Sequence, residues 1–524
     1  MYDHSPTYNF NSLKGIYKFQ QDFENTLYLE KNNIMRNILF VQPPSNMQKL
    51  QNIKSRNPEI KVPLPFVCIS PYLLNKGFNV EIIDLRIDNL DILRIYLEKR
   101  KPVFAGMSIM PGNALPIAIK INNFIKNHSP ETKIVWGGSF PSLHYELCLN
   151  APGVDFVVCG DGEDTLPELA FKLQDTNDMN RLLNVRGLAF KYNGNVVVTQ
   201  PREPADLDRE PVGAWNLIDK YMNYYLGERK YITINTARGC PFKCSFCYNN
   251  VLYKGFKRYR TKSIESVMQE VNYLVTKYNI NKIQFMDDDF LGNRKRGLEL
   301  LTSLKNKYPH LKYHAAARSE ELIQEEIVKQ LANAGLESVF IGAETGSEEQ
   351  LKNIEKGNET NDIIKAARMC YKYNIAGLYS FTCGYPNETY KDLYATIRMA
   401  KLIKDIDKNS QSLIEIVSPI YGTTLYTELE DGNLLPEKSI SKWCYLTDWK
   451  SAKYKPWIRT SGFYEAFQLA FFLAFSQSTG SDGGLRFFTR NLSSWSRFRL
   501  INKMPTLLPE YRLANYFIKK FLWS

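Results

Sequence analysis

The feature that most narrows the fold is an alternation in the second half of the chain, where six short β-rich runs are separated by helical stretches. The runs are Tyr-Ile-Thr-Ile-Asn-Thr (231–236), Lys-Ile-Gln-Phe-Met (282–286), Lys-Tyr-His-Ala-Ala-Ala (312–317), Ser-Val-Phe-Ile-Gly (338–342), Ala-Gly-Leu-Tyr-Ser-Phe-Thr (376–382) and Leu-Ile-Glu-Ile-Val (413–417). Strands alternating with helices build a parallel sheet of barrel type. The stretch after the third run shows the helical period best. There Ser319 is placed to cap, Glu320 and Glu321 fall in the first turn, Leu322, Ile323, Ile327 and Leu331 form an apolar stripe, and Gly335 ends it. In such barrels chemistry gathers at the carboxyl ends of the strands.

A cysteine loop follows the first strand: Ala-Arg-Gly-Cys240-Pro-Phe-Lys-Cys244-Ser-Phe-Cys247-Tyr. An iron–sulfur cluster that only shuttles electrons takes four thiolates, so three on one loop leave one iron open to a reactant. Structural zinc wants four closed ligands. The five histidines, His4, His128, His144, His310 and His314, supply no nearby fourth. Nine cysteines is an odd number, and the chain shows no basic-then-apolar leader, so a reducing cytoplasm fits better than a disulfide framework. Cys68, Cys148, Cys159, Cys370, Cys383 and Cys444 form no second spaced set and read as small buried hydrophobes.

The Cys-x3-Cys-x2-Cys spacing, with Phe246 before the last cysteine, resembles the radical S-adenosylmethionine superfamily. The resemblance implies that Cys240, Cys244 and Cys247 ligate a [4Fe-4S] cluster whose open iron chelates S-adenosyl-L-methionine. It places Phe246 near the adenine, against the plain alternative of a buried aromatic. An electron from the cluster then cleaves the sulfonium to a 5'-deoxyadenosyl radical. S-adenosylmethionine carries an ammonium, a carboxylate and a ribose diol, and polar groups of matching kinds fall at the strand ends. After the second strand the family receives the amino group, which points to the Met286 carbonyl or Asp287. Arg318, after the third, suits the carboxylate. Glu344, in Gly342-Ala-Glu-Thr-Gly-Ser347, resembles the family's Gly-x-Glu-x-Gly segment. Each has an alternative as a loop ion pair or solvated turn.

The first part of the chain has a different pattern. Asn-Ile-Leu-Phe-Val (37–41), Val-Glu-Ile-Ile-Asp (80–84), Val-Phe-Ala-Gly-Met (103–107), Lys-Ile-Val-Trp (133–136) and Asp-Phe-Val-Val (155–158) are continuous apolar strands, the mark of burial on both faces. They imply a doubly wound, Rossmann-like sheet whose ligand lies beyond the strand ends, where Ser108, Gly137, Gly138, Ser139, Gly160 and Glu163 cluster. In order, these pieces resemble the cobalamin-binding domain that precedes the barrel in one radical S-adenosylmethionine subclass. That subclass includes the class B C-methylases and the anaerobic cyclase of bacteriochlorophyll synthesis, and the likeness runs from about Asn37 to Leu435. It implies that Ser108, Gly137, Gly138, Ser139 and Gly160 contact cobalamin and that Glu163 holds the last loop. The Asp-x-His-x-x-Gly box is absent, so cobalt is expected to lack a histidine ligand.

The expected organisation is therefore α/β: an extension (1–35), a cobalamin-binding domain (36–180), a linker with a hairpin at Asn193-Gly194 (181–227), a partial (β/α)6 barrel (228–435), and a small, mainly helical, basic and aromatic C-terminal domain (436–524). Trp215 and Tyr221 to Tyr225 read either as a cover for the barrel mouth or as interdomain packing. Lysine and arginine total 67 against 55 acidic residues, and the tail holds much of the excess. A basic, aromatic tail suits an anionic or lipid-like substrate or a membrane surface. The apolar run 463–475 is too short to span a bilayer, and the amphipathic ending Tyr516–Trp523 suits peripheral contact. No nucleic-acid module is present, so specific nucleic-acid binding is not expected.

By this resemblance the chain is a cytoplasmic, cobalamin-dependent radical enzyme methylating an unactivated carbon of a small molecule or peptide, with flavodoxin or ferredoxin as electron donor. One S-adenosylmethionine would methylate cobalamin and a second would yield the radical. The alternatives are an oxidative cyclase or rearrangement enzyme with the same cofactors, an enzyme whose first domain has lost cobalamin, and a sensor without turnover.

Overall fold

The computed structural model describes residues 36–44, 60–110, 112, 114–175, 179–209, 212–436, 438–446 and 455–458, with 464, 467, 468, 471, 474, 475, 496, 497, 499 and 500 beyond them. The extension 1–35, most of 463–475 and the ending 516–523 lie outside the described residues. The chain divides near residue 232 into two compact units, with residues 269–274 belonging to the first.

In the first unit β1 (Arg36–Gln42), β2 (Phe78–Asp84), β3 (Phe104–Ser108), β4 (Lys133–Gly137) and β5 (Phe156–Val158) pair in parallel in the order β2-β1-β3-β4-β5. Ile38, Leu39 and Val41 are consecutive or near neighbours and fully buried, which a strand achieves only with both faces covered. Phe40 stacks on Phe66 at 4.9 Å. A Cβ on Gly106 would sit 2.8 Å from the Phe40 ring, so glycine is what lets β3 lie beside it. Strand order reverses between β1 and β3, and a doubly wound sheet opens its ligand crevice at such a reversal.

The hairpin is not a free connector. β6 (Leu188–Tyr192) pairs antiparallel with β5 and β7 (Asn195–Val198) with β6, extending the first sheet to seven strands. Asn193 and Gly194 take φ of 49° and 81°, the conformation a tight two-residue turn requires. Downstream, Trp215 is fully buried. Tyr225 donates to Asp84 Oδ2 at 2.8 Å, Tyr221 donates to Asp88, and Lys220 pairs with Glu81. Tyr221, Tyr225 and Lys220 therefore anchor their segment to β2 and the turn that follows it. Burial pushes the Asp88 carboxyl up to about 6.

The second unit carries β8 (Tyr231–Ile234), a two-stranded ribbon of β9 (Ala237–Arg238) and β10 (Arg260–Thr261), then β11 (Lys282–Phe285), β12 (Lys312–Arg318), β13 (Leu336–Glu344), β14 (Ala376–Cys383) and β15 (Gln411–Ile416). Its six-stranded sheet runs β15-β14-β13-β12-β11-β8, with parallel pairing from β11 to β15. Amphipathic helices such as Ile264–Tyr278, Arg294–Lys307 and Tyr390–Ile406 alternate with the strands. The expected single helix after Ser319 is broken into a 3₁₀ turn, Ser319–Leu322, and a helix, Glu325–Asn333. The break arises because Glu321 turns back to accept from the Arg318 N–H at 2.9 Å, while Ser319 Oγ accepts from Asn358 instead of capping. The buried stripe is accordingly Leu322, Val328 and Leu331. Among the described residues no helix is long and apolar enough to cross a membrane.

Candidate active site

The cysteine loop leaves the carboxyl end of β8 and is held by backbone bonds from several directions. Asp287, just past β11, accepts from the Thr236 and Ala237 N–H groups at 2.6 and 2.9 Å and from the Thr236 hydroxyl at 2.5 Å. Arg296 donates to the carbonyls of Thr236 and Lys262. Gly239 N–H donates to Asp288 Oδ2 at 3.0 Å. Arg258 reaches back to Asn250 Oδ1 at 2.7 Å and to the carbonyls of Pro241 and Phe242. Buried donors and acceptors matched in this way favour one loop conformation.

Within the loop Cys244 is buried and Cys240 and Cys247 partly so. Burial, then Asp289, pushes the Cys240 thiol up; burial also pushes Cys247 up, to about 11. Loading a metal must therefore displace protons from these thiols. Cys240 Sγ donates to Asp289 Oδ2 at 3.6 Å. Asp289 in turn shares a buried contact with Glu321, whose carboxyl is pushed up to about 9 by burial and by Asp289.

A cationic group meets the loop on its other side. Arg318, at the end of β12, donates to Cys244 Sγ at 3.3 Å and to the Lys356 carbonyl, pairs with Glu320, and lies 3.9 Å over the Phe242 ring. Lys356 pairs with Glu344 Oε1 at 2.8 Å, and Thr382 donates to Glu344 Oε2 at 3.1 Å. Burial would lower the Lys356 pKa, but Glu344 holds it above the ordinary lysine value. Glu344 stands at φ +59° beside a register shift in β13, a bulge that re-aims a side chain. Phe246 is partly buried, edge-on to Tyr385 at 6.1 Å, against the cluster of Ile354, Tyr385, Val417, Leu425 and Leu429.

The structure thus draws Cys240, Cys244, Cys247, Arg318, Glu344 and Phe246 to the carboxyl ends of the strands. It separates Met286 from Asp287. The Met286 side chain is 39% exposed and its carbonyl already accepts from Asn235 Nδ2 at 3.1 Å. The Asp287 carboxylate accepts from the Thr236 and Ala237 N–H groups and the Thr236 hydroxyl, which ties the start of the loop to the end of β11. Sequence reasoning missed Lys356 and Asp289. Asp289 was visible as the third acid of its run, but Lys356 has no local signal, because its partner is reached only through the turn after helix Glu348–Asn353.

Among the described residues no three His, Cys, Asp or Glu side chains converge as ligands of a single ion. Three thiols that each serve a different iron of a cluster need no such convergence. Their donor set, beside one guanidinium, one ammonium and one carboxylate, fits a cluster with an amino-acid-bearing ligand.

In the first unit the strand-end loops at Gly137–Ser139 and Gly160 are tied together by Ser142. Its hydroxyl donates to the Gly138 carbonyl at 2.7 Å and accepts from Gly160 N–H at 2.9 Å. Gly138 takes φ +102°, and a Cβ there would press to 3.1 Å from Ser108 Oγ; Gly160 takes φ +88°, with open space where its Cβ would stand. Glu163 is buried at 2% exposure, and Ser139 opens the short helix Ser139–Leu143.

The chain matches two family models, the radical SAM superfamily over residues 234–400 and the B12 binding domain over residues 59–170. It is 30% identical to an uncharacterized methyltransferase of Pyrococcus horikoshii, over 76% of this chain and 84% of the relative. It is 26% identical to the anaerobic magnesium-protoporphyrin IX monomethyl ester cyclase of Synechocystis, over 80% and 82%. Among solved structures, the cobalamin-dependent S-adenosylmethionine radical enzyme OxsB superposes with a TM-score of 0.65 at 18% identity, covering 94% of this chain and 76% of that one. The radical S-adenosylmethionine methyltransferase TsrM from Kitasatospora setae gives 0.62 at 19% identity, covering 76% and 75%. At these identities the two structures speak for the fold.

Proposed function

Because the chain belongs to the cobalamin-dependent radical S-adenosylmethionine enzymes, which work with a [4Fe-4S] cluster, S-adenosylmethionine and cobalamin, we propose that it is a methyltransferase acting on an unactivated carbon of a small molecule or peptide. The observation that carries the reading is the gathering of Cys240, Cys244 and Cys247 with Arg318, Lys356 and Glu344. The Pyrococcus relative named a methyltransferase supports methyl transfer. When bound, the cluster and S-adenosylmethionine would supply a carbon-centred oxidant and cobalamin a methyl carrier.

In this reading the three cysteines hold the cluster. Arg318 and Lys356 supply the positive charge that seats a carboxylate, Glu344 accepts from an ammonium or hydroxyl donor, and Phe246 with Tyr385 forms an apolar wall that excludes water. Asp287 keeps the loop in place. Ser108, Gly137, Gly138, Ser139, Gly160 and Glu163 would form the cobalamin ledge. A cyclase is the second reading, supported by the Synechocystis relative.

The test is anaerobic turnover of the cobalamin-loaded, cluster-reconstituted protein with S-adenosylmethionine and host extract, with both nucleoside products quantified. S-adenosylhomocysteine and 5'-deoxyadenosine rising together, and neither rising in Cys244→Ala, is the expected result. 5'-Deoxyadenosine alone would replace methylation by cyclisation or rearrangement. Neither product, with an intact cluster, would refute enzymatic turnover.

A further inference from the structure

Two carboxyl groups stand where β13 and β14 end, in unlike surroundings. Glu344 is matched by a cation, Lys356, and by the Thr382 hydroxyl. Glu388 has no cation beside it among the described residues. Its Oε2 accepts from Gly384 N–H at 2.6 Å and from the Tyr464 hydroxyl at 3.2 Å, while its Oε1 is shut off from solvent and has no hydrogen-bond partner among the described residues. The charge that acts on it is a second carboxylate, Asp392; Lys455 acts on Cys383 and reaches Ser418 Oγ at 3.5 Å instead. Burial, with Asp392 adding to it, holds the Glu388 carboxyl up at about 8. The Tyr385 hydroxyl, on a residue 5% exposed, lies near Thr382 and in the fields of Glu344 and Glu388, and it too makes no well-formed hydrogen bond among the described residues. The Tyr385 ring packs with Ile354, Val417 and Leu425, and Phe246 and Trp457 lie against that cluster. Trp457 donates to the Gly384 carbonyl at 2.7 Å, and a Cβ on Gly384 would fall 2.9 Å from Ile458, so residues 457–458 close tightly over this loop.

We infer that Glu388 and Tyr385 hold an amino group of the substrate, which makes the substrate class a primary amine carried on an apolar stem. The inference rests on the function proposed above and names the substrate end of that same site. A buried carboxyl group without a cation stays protonated, and an arriving ammonium supplies both the missing charge and three hydrogen-bond donors. One donor meets Glu388 Oε1, another meets the Tyr385 oxygen, and the wall of Phe246, Val417, Leu425 and Trp457 takes the stem. A hydroxyl or carbonyl ligand brings no charge. A carboxylate or phosphate would set like charge against Glu344, Glu388 and Asp392. As the ammonium seats, the Glu388 O–H bond breaks, its proton leaves to solvent, and carboxylate and ammonium pair. No covalent bond to the substrate forms and nothing is oxidised. Thr382, which bonds Glu344, stands three residues before Tyr385, so the amine is held beside the group proposed above to meet S-adenosylmethionine.

The experiment titrates n-butylamine hydrochloride, and n-butanol as its uncharged counterpart, into the full chain loaded with cluster, cobalamin and S-adenosylmethionine, anaerobically and without reductant. Calorimetry in two buffers of different ionisation enthalpy counts the protons released. Wild type is expected to bind the amine roughly tenfold more tightly than the alcohol, to release about 0.9 of a proton per amine at pH 7, and to gain affinity about tenfold from pH 6 to 7. Glu388→Gln should lose the preference for the amine and Tyr385→Phe should weaken amine binding several-fold, with melting temperatures at pH 6 confirming that both variants fold. In wild type, equal affinity for the two probes, no saturable amine binding, or binding without proton release overturns the inference, and none of these readings needs a variant. An amine preference that survives in Glu388→Gln overturns it too. Dithionite-driven cleavage of S-adenosylmethionine is measured separately. Its absence in wild type with an intact cluster would sink the proposed function, while the amine titration still decides the site.

Discussion

Gly239→Ala puts the cysteine loop to a sharp test. Gly239 sits at φ +79°, and an alanine Cβ there would fall 1.9 Å from the Arg258 carbonyl oxygen and 2.9 Å from its carbon. Both are backbone atoms, and Arg258 is itself tied to Asn250, Pro241 and Phe242, so neither side yields cheaply. A left-handed non-glycine residue costs about 1–2 kcal/mol, and forcing a methyl into filled space about 1–3 kcal/mol more. The sum, about 2–5 kcal/mol, is large enough to open the β9–β10 ribbon while the rest of the unit stays folded. Gly255→Ala is the matched control. It lies in the same segment at φ +88° with nothing within 4 Å of its Cβ, and so bears only the conformational term. Iron and sulfide per chain after anaerobic reconstitution, with thermal melting of the unloaded protein, separate the two. Gly239→Ala should hold several-fold less iron than Gly255→Ala while melting within a few degrees of it. Equal cluster content in both would refute the claim that this contact shapes the loop.

Three further outcomes are expected. Glu388, past β14, accepts from Gly384 N–H at 2.6 Å, and burial pushes its carboxyl up to about 8. Its contribution to stability is therefore full below the unfolded carboxylate range near 4.5 and is lost as pH rises through about 8, a swing of about 3–5 kcal/mol; melting temperatures from pH 5 to 9 should fall less in Glu388→Gln, and identical slopes would contradict this. Lys356→Ala leaves the Glu344 carboxylate buried and unpaired, costing about 3–5 kcal/mol, whereas Lys356→Met with Glu344→Gln should cost much less; calorimetry on the single and double variants checks it. Gly346→Ala would place a Cβ 2.4 Å from the Ala395 carbonyl oxygen in helix Tyr390–Ile406 and should destabilise by about 1–3 kcal/mol, read as a lower denaturation midpoint.

What the sequence determined by itself was whatever depends on near neighbours. The six strands of the second unit and the five parallel strands of the first were legible because β-branched and aromatic runs between helical periods leave few other solutions. Asn193-Gly194 announced its own turn, and the spacing of Cys240, Cys244 and Cys247 marks a shared site without reference to any distant residue. Tertiary structure alone decided the pairings across long stretches of chain. Arg318 meets Cys244 across 74 positions, Asp289 meets Cys240 across 49, and Asp287 reaches the Thr236 N–H across 51. Tyr221 anchors to Asp88 from 133 residues away, and β6 joins the first sheet although its turn signal read equally well as a free hairpin. The physical reason is that strand and turn preferences are set within a few residues. Which buried charge satisfies which partner depends instead on register, on bulges such as the one at Glu344, and on the cost of leaving any of them unpaired.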